Sequence, residues 1–211
     1  MRVPLLVNRG MASKIAQTTR KAFEIFSVES VTKDKLQELV QLTAQLTARD
    51  INLNLEQVRR ERVTRAPVSY MEIFVNKALT VCVFVLWDDT KMPMHNHPDM
   101  HGILKVLHGT VRVQSYTEAQ LNNNSGERNV VPENCKKASW LWNRDRTLGG
   151  DGKEEYVLAK KHEAIFLNAG ENEAPAILYP IDGNIHEIQA VDGPAAFLDI
   201  LAPSYEARFS Y

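Results

Sequence analysis

The chain has 211 residues, of which 44% are hydrophobic and 24% charged, a composition typical of a globular protein. The net charge of −1 leaves no basic excess for binding a nucleic acid, and no apolar run of about 18 residues predicts a membrane-spanning helix. Its two cysteines, Cys82 and Cys135, exclude a disulfide framework and favour a reducing compartment, so we expect a cytoplasmic protein.

Two or three helices are predicted in the first 66 residues. Apolar residues recur at helical spacing from about Ser13 to Phe26. Thr32 is the expected N-cap of a second helix, and a short third helix is expected from Leu55 to Arg62. The first 23 residues are basic without any acid, as in a mitochondrial transit peptide, but the unbroken helical pattern favours a helix of the domain.

After Pro67 the pattern changes from helix to strand. Short β-branched and aromatic runs, separated by Gly and Pro, predict an antiparallel barrel or sandwich, with residues 102–116 forming two strands hinged at Gly109. Residues 121–155 are polar and rich in turn residues, which indicates a surface insertion. Its length is unusual for a structureless connection, so short strands or a functional role are expected for parts of it. We therefore expect a helical segment over residues 1–66, packed on a β-barrel over residues 67–211.

Histidines are concentrated in one segment, PMHNHPDMHGILKVLHG, over residues 93–109. Residues two apart in a strand point to the same side, so His95 and His97 can present two imidazoles to one metal ion. Imidazole suits Fe, Zn, Cu and Ni alike and does not by itself identify the metal. His101, His108 and His162 are expected to be packing, hydrogen-bonding or turn residues.

Three other polar residues of the β region are expected to have structural roles. Cys82 lies inside an apolar run, which favours a buried, inert thiol. Lys105 and Arg112 are expected to be solvated charges on the face of a strand.

The histidine segment resembles the first motif of the cupin superfamily. His95 and His97 match its H-x-H pair, but Gly102, or His101 in the shorter spacing, stands where the motif usually has a glutamate ligand. The second cupin motif supplies a histidine near a Pro-Gly turn, and PIDGNIHEI here contains His186. The resemblance implies a jelly-roll, double-stranded β-helix with a site made of three histidines.

The missing carboxylate has a chemical consequence. Three neutral imidazoles leave a divalent ion with its full charge, whereas a site of two histidines and one carboxylate cancels part of it. The remaining charge favours an anionic ligand such as a thiolate. Three protein ligands also leave positions open for substrate and dioxygen.

More narrowly, the chain resembles the cysteamine dioxygenases and the plant cysteine oxidases. They share an H-x-H-P-x-M segment followed by K-V/L-L-x-G, and NIHEIQAVDGPAAFLDILAPSY (184–205) resembles their third-ligand segment and closing strand. The resemblance implies a mononuclear non-haem Fe(II) enzyme that adds both atoms of O2 to a thiol and releases a sulfinic acid. The implied substrates are cysteamine and proteins or peptides with an N-terminal cysteine, whose oxidation would couple oxygen level to protein lifetime.

The same resemblance assigns candidate site residues. It implies that His95, His97 and His186 ligate the iron. It places Asp199 near the active site, where it could accept a hydrogen bond from the substrate amine or from solvent. It places Tyr70 near the pocket. For Asp199 a structural hydrogen bond, and for Tyr70 simple packing, stay open as alternatives.

Further features bear on the substrate and on competing functions. Asp99 stands where relatives usually have glycine, which could reshape the mouth of the site. No arginine occurs between Ala66 and Met94 to bind the carboxylate of free cysteine, which favours cysteamine or a peptide. The family implies a monomer. Two alternatives stay open: a cupin of another chemistry, such as a metal-dependent isomerase or a carbon-cleaving dioxygenase, and a non-catalytic ligand-binding cupin.

Overall fold

The computed structural model describes residues 13–28, 30–61, 66–88, 90–119, 135–139 and 156–205. The helices are α1 (Lys14–Phe26), α2 (Lys33–Ala44) and α3 (Leu55–Glu61), with a 3-10 turn at Ala48–Ile51. The strands are β1 (Val68–Val75), β2 (Thr80–Leu86), β3 (Lys91–His95), β4 (His101–Glu118), β5 (Cys135–Ser139), β6 (Tyr156–Lys161), β7 (Ile165–Asn168), β8 (Ala176–Leu178) and β9 (Ile185–Ala202).

The helices begin where the sequence predicted. The hydroxyl of Ser13 accepts a hydrogen bond from the Ala16 N–H at 3.3 Å, and that of Thr32 accepts one from the Lys35 N–H at 3.4 Å. Both hydroxyls satisfy an N–H that has no partner within the helix. The 3-10 turn at Ala48–Ile51 was not predicted, because four residues are too short to show a helical period.

Two long strands organise the β region. β4 and β9 have 18 residues each and pair antiparallel, residues 101–116 of β4 with residues 185–202 of β9. β2 and β8 pair with one end of this ribbon, whereas β3, β7 and β6 pair with the other end. Side chains from both ends meet in one apolar core: Leu86, Leu104, Val106, Val111, Val113, Ile188, Ala190, Ala195 and Phe197. The predicted jelly-roll fold with N-terminal helices is confirmed.

The pairing of the ribbon is irregular around Gly109. Gly109 has a φ of +69°, and a Cβ at this position would lie 2.5 Å from the carbonyl oxygen of Pro194, so only glycine fits. The β4–β9 register also shifts on both sides of His108. The two strands predicted around Gly109 therefore form a single strand, β4, whose pairing with β9 is irregular at the predicted hinge. Residues 156–169 contain two strands, β6 and β7.

A second apolar core lies between the helices and the outer face of β2, β4 and β9. Lys105 lies on β4 and is only 1% exposed; its ammonium group donates hydrogen bonds to the carbonyls of Gly170 at 2.6 Å and Glu173 at 2.9 Å. The prediction of a solvated charge at Lys105 was wrong, because the loop of residues 170–173 covers this position. Arg112 is partly exposed and lies 3.9 Å from the Glu187 carboxylate.

Cys82 is buried, as predicted, and burial raises the pKa of its thiol well above the usual value. Within the predicted insertion of residues 121–155, the structure describes only β5, which pairs with β6. The division of the chain at residue 66 stays a prediction. None of the described helices is long and apolar enough to span a membrane.

Candidate metal centre

β3 and β9 bring the three predicted histidines together. β3 ends at His95, which lies directly opposite His186 on β9. His97 follows in a turn closed by a hydrogen bond from the Met100 N–H to its carbonyl. The ring of His95 is 4.9 Å from that of His97 and 4.4 Å from that of His186, and the candidate ligand atoms all lie within 4.8 Å of one another. The three imidazoles are therefore close enough to share one ion.

Hydrogen bonds orient each imidazole. The Nδ1 atom of His95 bonds to the carbonyl of Pro93 at 2.8 Å, and that of His186 bonds to the carbonyl of Asn184 at 2.9 Å. A carbonyl only accepts, so Nδ1 carries the proton in both rings and Nε2 keeps its lone pair. The Nδ1 atom of His97 is bonded to the hydroxyl of Tyr205. This is the arrangement by which proteins usually fix metal-binding histidines.

The imidazoles are neutral at physiological pH. Burial lowers the pKa of His95. Burial and the neighbouring imidazoles lower the pKa of His97 to about 2 and that of His186 to about 3. Among the described residues, no carboxylate joins the cluster. The donor set of three neutral nitrogens fits a divalent transition metal.

A cavity of about 290 Å³ opens beside the histidines, and His97, His186 and Asp199 line it. Asp199 is only 7% exposed, and in the described part of the chain its carboxylate has no hydrogen-bond or ion-pair partner. Burial raises its pKa from the usual 3.8 to about 7. A carboxylate left unpaired in a cavity is suited to a cationic or hydrogen-bond-donating ligand.

The other candidates lie further from the cluster. Tyr70 is 45% exposed on β1, with its ring 5.3 Å from that of Phe84, and it is not among the described residues that line the cavity. Its role in the reaction stays a prediction. His101 packs its ring near that of Phe26, and His162 bonds to a threonine hydroxyl at the cavity wall. Asp99 has a φ of +55°, the left-handed region that glycine adopts most easily.

Two residues beside the site were missed from the sequence. Tyr205 reaches His97 from the far end of the chain, and Asn184 bonds to the backbone of His97 through its side chain. No spacing rule links either residue to the H-x-H pair. The only signal was that Asn184 lies two residues before the predicted ligand His186.

Comparison with known proteins assigns the site to a family. The PCO_ADO family model matches residues 35–210. The chain belongs to this family. Over 206 residues it is 34% identical to the 2-aminoethanethiol dioxygenase of Mus musculus, an alignment that covers 93% of this chain and 76% of that protein. The predicted resemblance is thereby confirmed.

In two other relatives, the alignment covers a smaller fraction of the relative's sequence. The human 2-aminoethanethiol dioxygenase is 37% identical over 175 residues, covering 82% of this chain and 61% of that protein. Plant cysteine oxidase 2 of Arabidopsis thaliana is 26% identical over 198 residues, covering 91% of this chain and 60% of that protein. The chain thus spans about three fifths of these two members.

The fold was also compared with solved structures. A cupin superfamily protein from Desulfitobacterium hafniense aligns with a TM-score of 0.38 and 11% identity, over 68% of this chain and 84% of that one. At this TM-score the likeness adds no argument about function. The fold class rests on the strand pairing described above.

Proposed function

We propose that this protein is an Fe(II)-dependent thiol dioxygenase that adds both atoms of O2 to a thiol sulfur and produces a sulfinic acid. The observation that carries the proposal is a cluster of three neutral imidazoles beside a cavity, whose lining includes two of them and a carboxylate, Asp199, that has no partner among the described residues. The names of the family members, 2-aminoethanethiol dioxygenase and plant cysteine oxidase, support thiol oxidation as the reaction.

His95, His97 and His186 would hold the ion. Iron(II) in this position would supply open coordination sites at which sulfur and dioxygen meet and exchange electrons. The protein's part is to present three uncharged nitrogens, which leave the divalent charge uncancelled and so favour a thiolate over a neutral thiol. The hydrogen bonds on Nδ1 keep the rings in one tautomer throughout.

Asp199 would bind the amine of the substrate. Cysteamine and an N-terminal cysteine residue share a 2-aminoethanethiol unit, in which the amine lies two carbons from the sulfur. A protonated amine gives the buried carboxylate the partner that the described residues do not supply. Glu163 and Asp182 also line the cavity, which makes it more favourable for a cation.

The cavity also favours one class of thiol over another. Free cysteine carries a carboxylate that would need a cationic partner. Among the described residues that line the cavity there is no lysine or arginine. Cysteamine lacks the carboxylate, and a peptide has it locked in an amide bond, so both fit this lining better than free cysteine does.

The test is aerobic incubation of iron-loaded protein with cysteamine, a Cys-initiated peptide and free cysteine, followed by mass spectrometry. We expect cysteamine, the peptide or both to gain two oxygen atoms, and labelled dioxygen to supply both. His186→Ala is the matched control and should leave every thiol unoxidised. Zinc or nickel binding without oxygen uptake would instead favour another cupin chemistry, and a protein that binds no metal would favour a non-catalytic role.

The setting of the enzyme belongs to the same proposal. A cytoplasmic monomer agrees with the reduced, buried Cys82 and with the properties that the family implies. If peptides are oxidised, the reaction would couple oxygen level to the lifetime of proteins that begin with cysteine. Size-exclusion chromatography tests the oligomeric state, and detection of the native protein in cell fractions tests the compartment.

A further inference from the structure

The pairing of β3 with β9 stops beside the metal centre. The last backbone pair joins His95 to His186. Two residues beyond this pair, His97 lies opposite Asn184. Here the side chain of Asn184 makes the hydrogen bonds to the His97 backbone that a paired strand would otherwise make. The Oδ1 atom of Asn184 accepts a hydrogen bond from the His97 N–H at 2.7 Å, and its Nδ2 atom donates one to the His97 carbonyl at 2.9 Å. A carboxamide has the donor and acceptor of a peptide group, so it can continue the ladder.

The same residue makes two more contacts. Its Nδ2 atom donates to the carbonyl of Tyr179 at 2.8 Å, which uses the second amide hydrogen. Its backbone carbonyl accepts from Nδ1 of His186 at 2.9 Å. Asn184 is 5% exposed, so these bonds have little competition from water. One residue therefore holds the backbone of His97 and the ring of His186.

We infer that Asn184 is a positioning residue of the metal centre, which fixes two of the three histidines relative to each other before the ion binds. The inference rests on the proposed metal site. His97 lies beyond the end of β3, so no strand partner holds its main chain in place. Without the carboxamide, ion binding would have to order this segment, and the ordering would reduce affinity.

If Asn184 only stabilised the fold, its removal would lower the melting temperature without changing metal affinity. Asn76 provides a matched control for this alternative. The side chain of Asn76 accepts hydrogen bonds from the N–H groups of Ala78 and Leu79, both at 2.9 Å, in the turn between β1 and β2. Asn76 is not among the described residues that line the cavity. Asn76→Ala should lower the melting temperature without changing metal affinity, whereas Asn184→Ala should weaken metal binding in protein that is still folded.

The experiment is an anaerobic titration of metal-free protein with Co(II), whose visible absorption reports the ligand geometry. We expect Asn184→Ala to bind Co(II) about 10- to 100-fold more weakly than wild type, which is the loss found when a hydrogen-bond partner of a metal ligand is removed. We also expect its Co(II) absorption spectrum to change. Asn184→Asp keeps the size and the acceptor for the His97 N–H, but it replaces the donor nitrogen by an oxygen facing two carbonyls. It should also bind more weakly.

The outcomes are distinct from those of the proposed function. Wild-type affinity and spectrum in folded Asn184→Ala would overturn the inference. If that variant does not fold, wild-type affinity and spectrum in Asn184→Asp would overturn it equally. A wild-type protein that binds Co(II) and Fe(II) but oxidises no thiol would contradict the proposed reaction while leaving the role of Asn184 intact. A wild-type protein that binds neither ion would contradict both.

Discussion

Two buried ionisable side chains lie on adjacent strands of the same sheet and face opposite ways. Leu104 of β4 pairs with Asp199 of β9, and the next residue, Lys105, pairs with Leu198. Successive residues alternate between the two faces, so Asp199 lines the cavity while Lys105 is covered by the loop of residues 170–173. The lysine has its hydrogen bonds made within the protein. The aspartate has none among the described residues.

The difference lies between a charge with hydrogen-bond partners in the described structure and one that has none there, which we propose is completed by a ligand. Lys105 holds a loop that also touches the helices, through the Asn172 N–H to the Ala44 carbonyl and through a 3.0 Å ion pair between Lys14 and Glu171. Burial lowers the pKa of Lys105, but two carbonyls stabilise its ammonium group. Burial of the Asp199 carboxylate costs stability, and none of the described residues offsets that cost, a pattern common where a ligand completes a site.

The largest effect on stability is expected for Lys105→Met. The change removes two part-buried hydrogen bonds from a charged ammonium group. Each is worth about 1.5–3 kcal/mol, so unfolding should become about 3–6 kcal/mol easier. Thermal and denaturant unfolding measure the loss. Activity per folded molecule should stay at the wild-type level, since Lys105 faces away from the cavity.

The control for this prediction is Lys91→Met. Lys91 is 57% exposed and makes a 3.1 Å ion pair with Glu187, so its removal should cost about 1 kcal/mol or less. Equal losses of unfolding free energy in the two variants would show that the buried Lys105 contributes no more to stability than an exposed lysine. The contrast between the two faces of the sheet would then disappear.

The next effect concerns Asp199→Asn in metal-free protein. The folded-state pKa of about 7 lies above the usual 3.8, so between these values the folded state binds more protons than the unfolded state. The contribution of Asp199 to stability therefore falls as pH rises through this window. At pH 8 the penalty is about 4 kcal/mol, and Asp199→Asn should be more stable than wild type by up to this amount.

Unfolding of both proteins between pH 4 and pH 8 measures this difference. The buried histidines have lowered pKa values, so their contribution rises with pH, but it is common to both proteins and cancels in the difference. A constant difference across the range would mean that Asp199 is not held in an unfavourable environment. Metal-free protein is needed because a nearby cation favours the ionised carboxylate.

Features of this contrast that depend on residues close together in the sequence were predictable, whereas contacts between residues far apart in the sequence were not. The H-x-H pair and its third histidine follow from local motifs, and the strands on which they lie follow from hydrophobic patterning. Patterning shows that neighbouring strand residues face opposite ways. It does not show which face a distant loop covers, so Lys105 was predicted to be solvated and was found buried.

The same limit explains the residues that orient the histidines. Asn184 acts where two strands stop pairing, and Tyr205 acts across 108 residues of sequence. Either contact depends on register and on the path of the chain after β9, which a single sequence does not specify. Family resemblance and the cost of a carboxylate in an apolar strand singled out Asp199 from the sequence; its position in a cavity, without a partner among the described residues, required the structure.

The activity of Asp199→Asn tests whether the carboxylate that lines the cavity binds the substrate amine. A charge-assisted hydrogen bond to the substrate amine contributes about 1.5–3 kcal/mol, so kcat/KM for cysteamine should fall about 10- to 150-fold. A thiol of the same size without an amine is the matched substrate, and it should react equally slowly with both enzymes. A similar fall for both substrates would exclude amine binding as the role of this carboxylate.

Two tyrosines, Tyr205 beside the metal centre and Tyr70 on β1, should show smaller effects than Lys105 and Asp199. Tyr205→Phe keeps the ring but removes the oxygen that is bonded to Nδ1 of His97. We expect metal affinity to fall about tenfold, at the low end of the effects seen when a partner of a metal ligand is lost. Co(II) titration measures the change, and unaltered affinity would show that the hydroxyl does not hold the ring.

Tyr70→Phe should have the smallest effect of all. Tyr70 lies on β1 with 45% of its surface exposed, and in the part of the chain that is described its hydroxyl has no hydrogen-bond partner. Removing that oxygen should change kcat/KM by no more than about twofold and stability by about 0.5 kcal/mol or less. The ring, packed against Phe84, is retained in the variant. A tenfold or larger loss of activity, with the melting temperature unchanged, would mean that substrate reaches β1. The cavity-facing carboxylate would then share substrate binding with the edge of the sheet, as the sequence resemblance first implied.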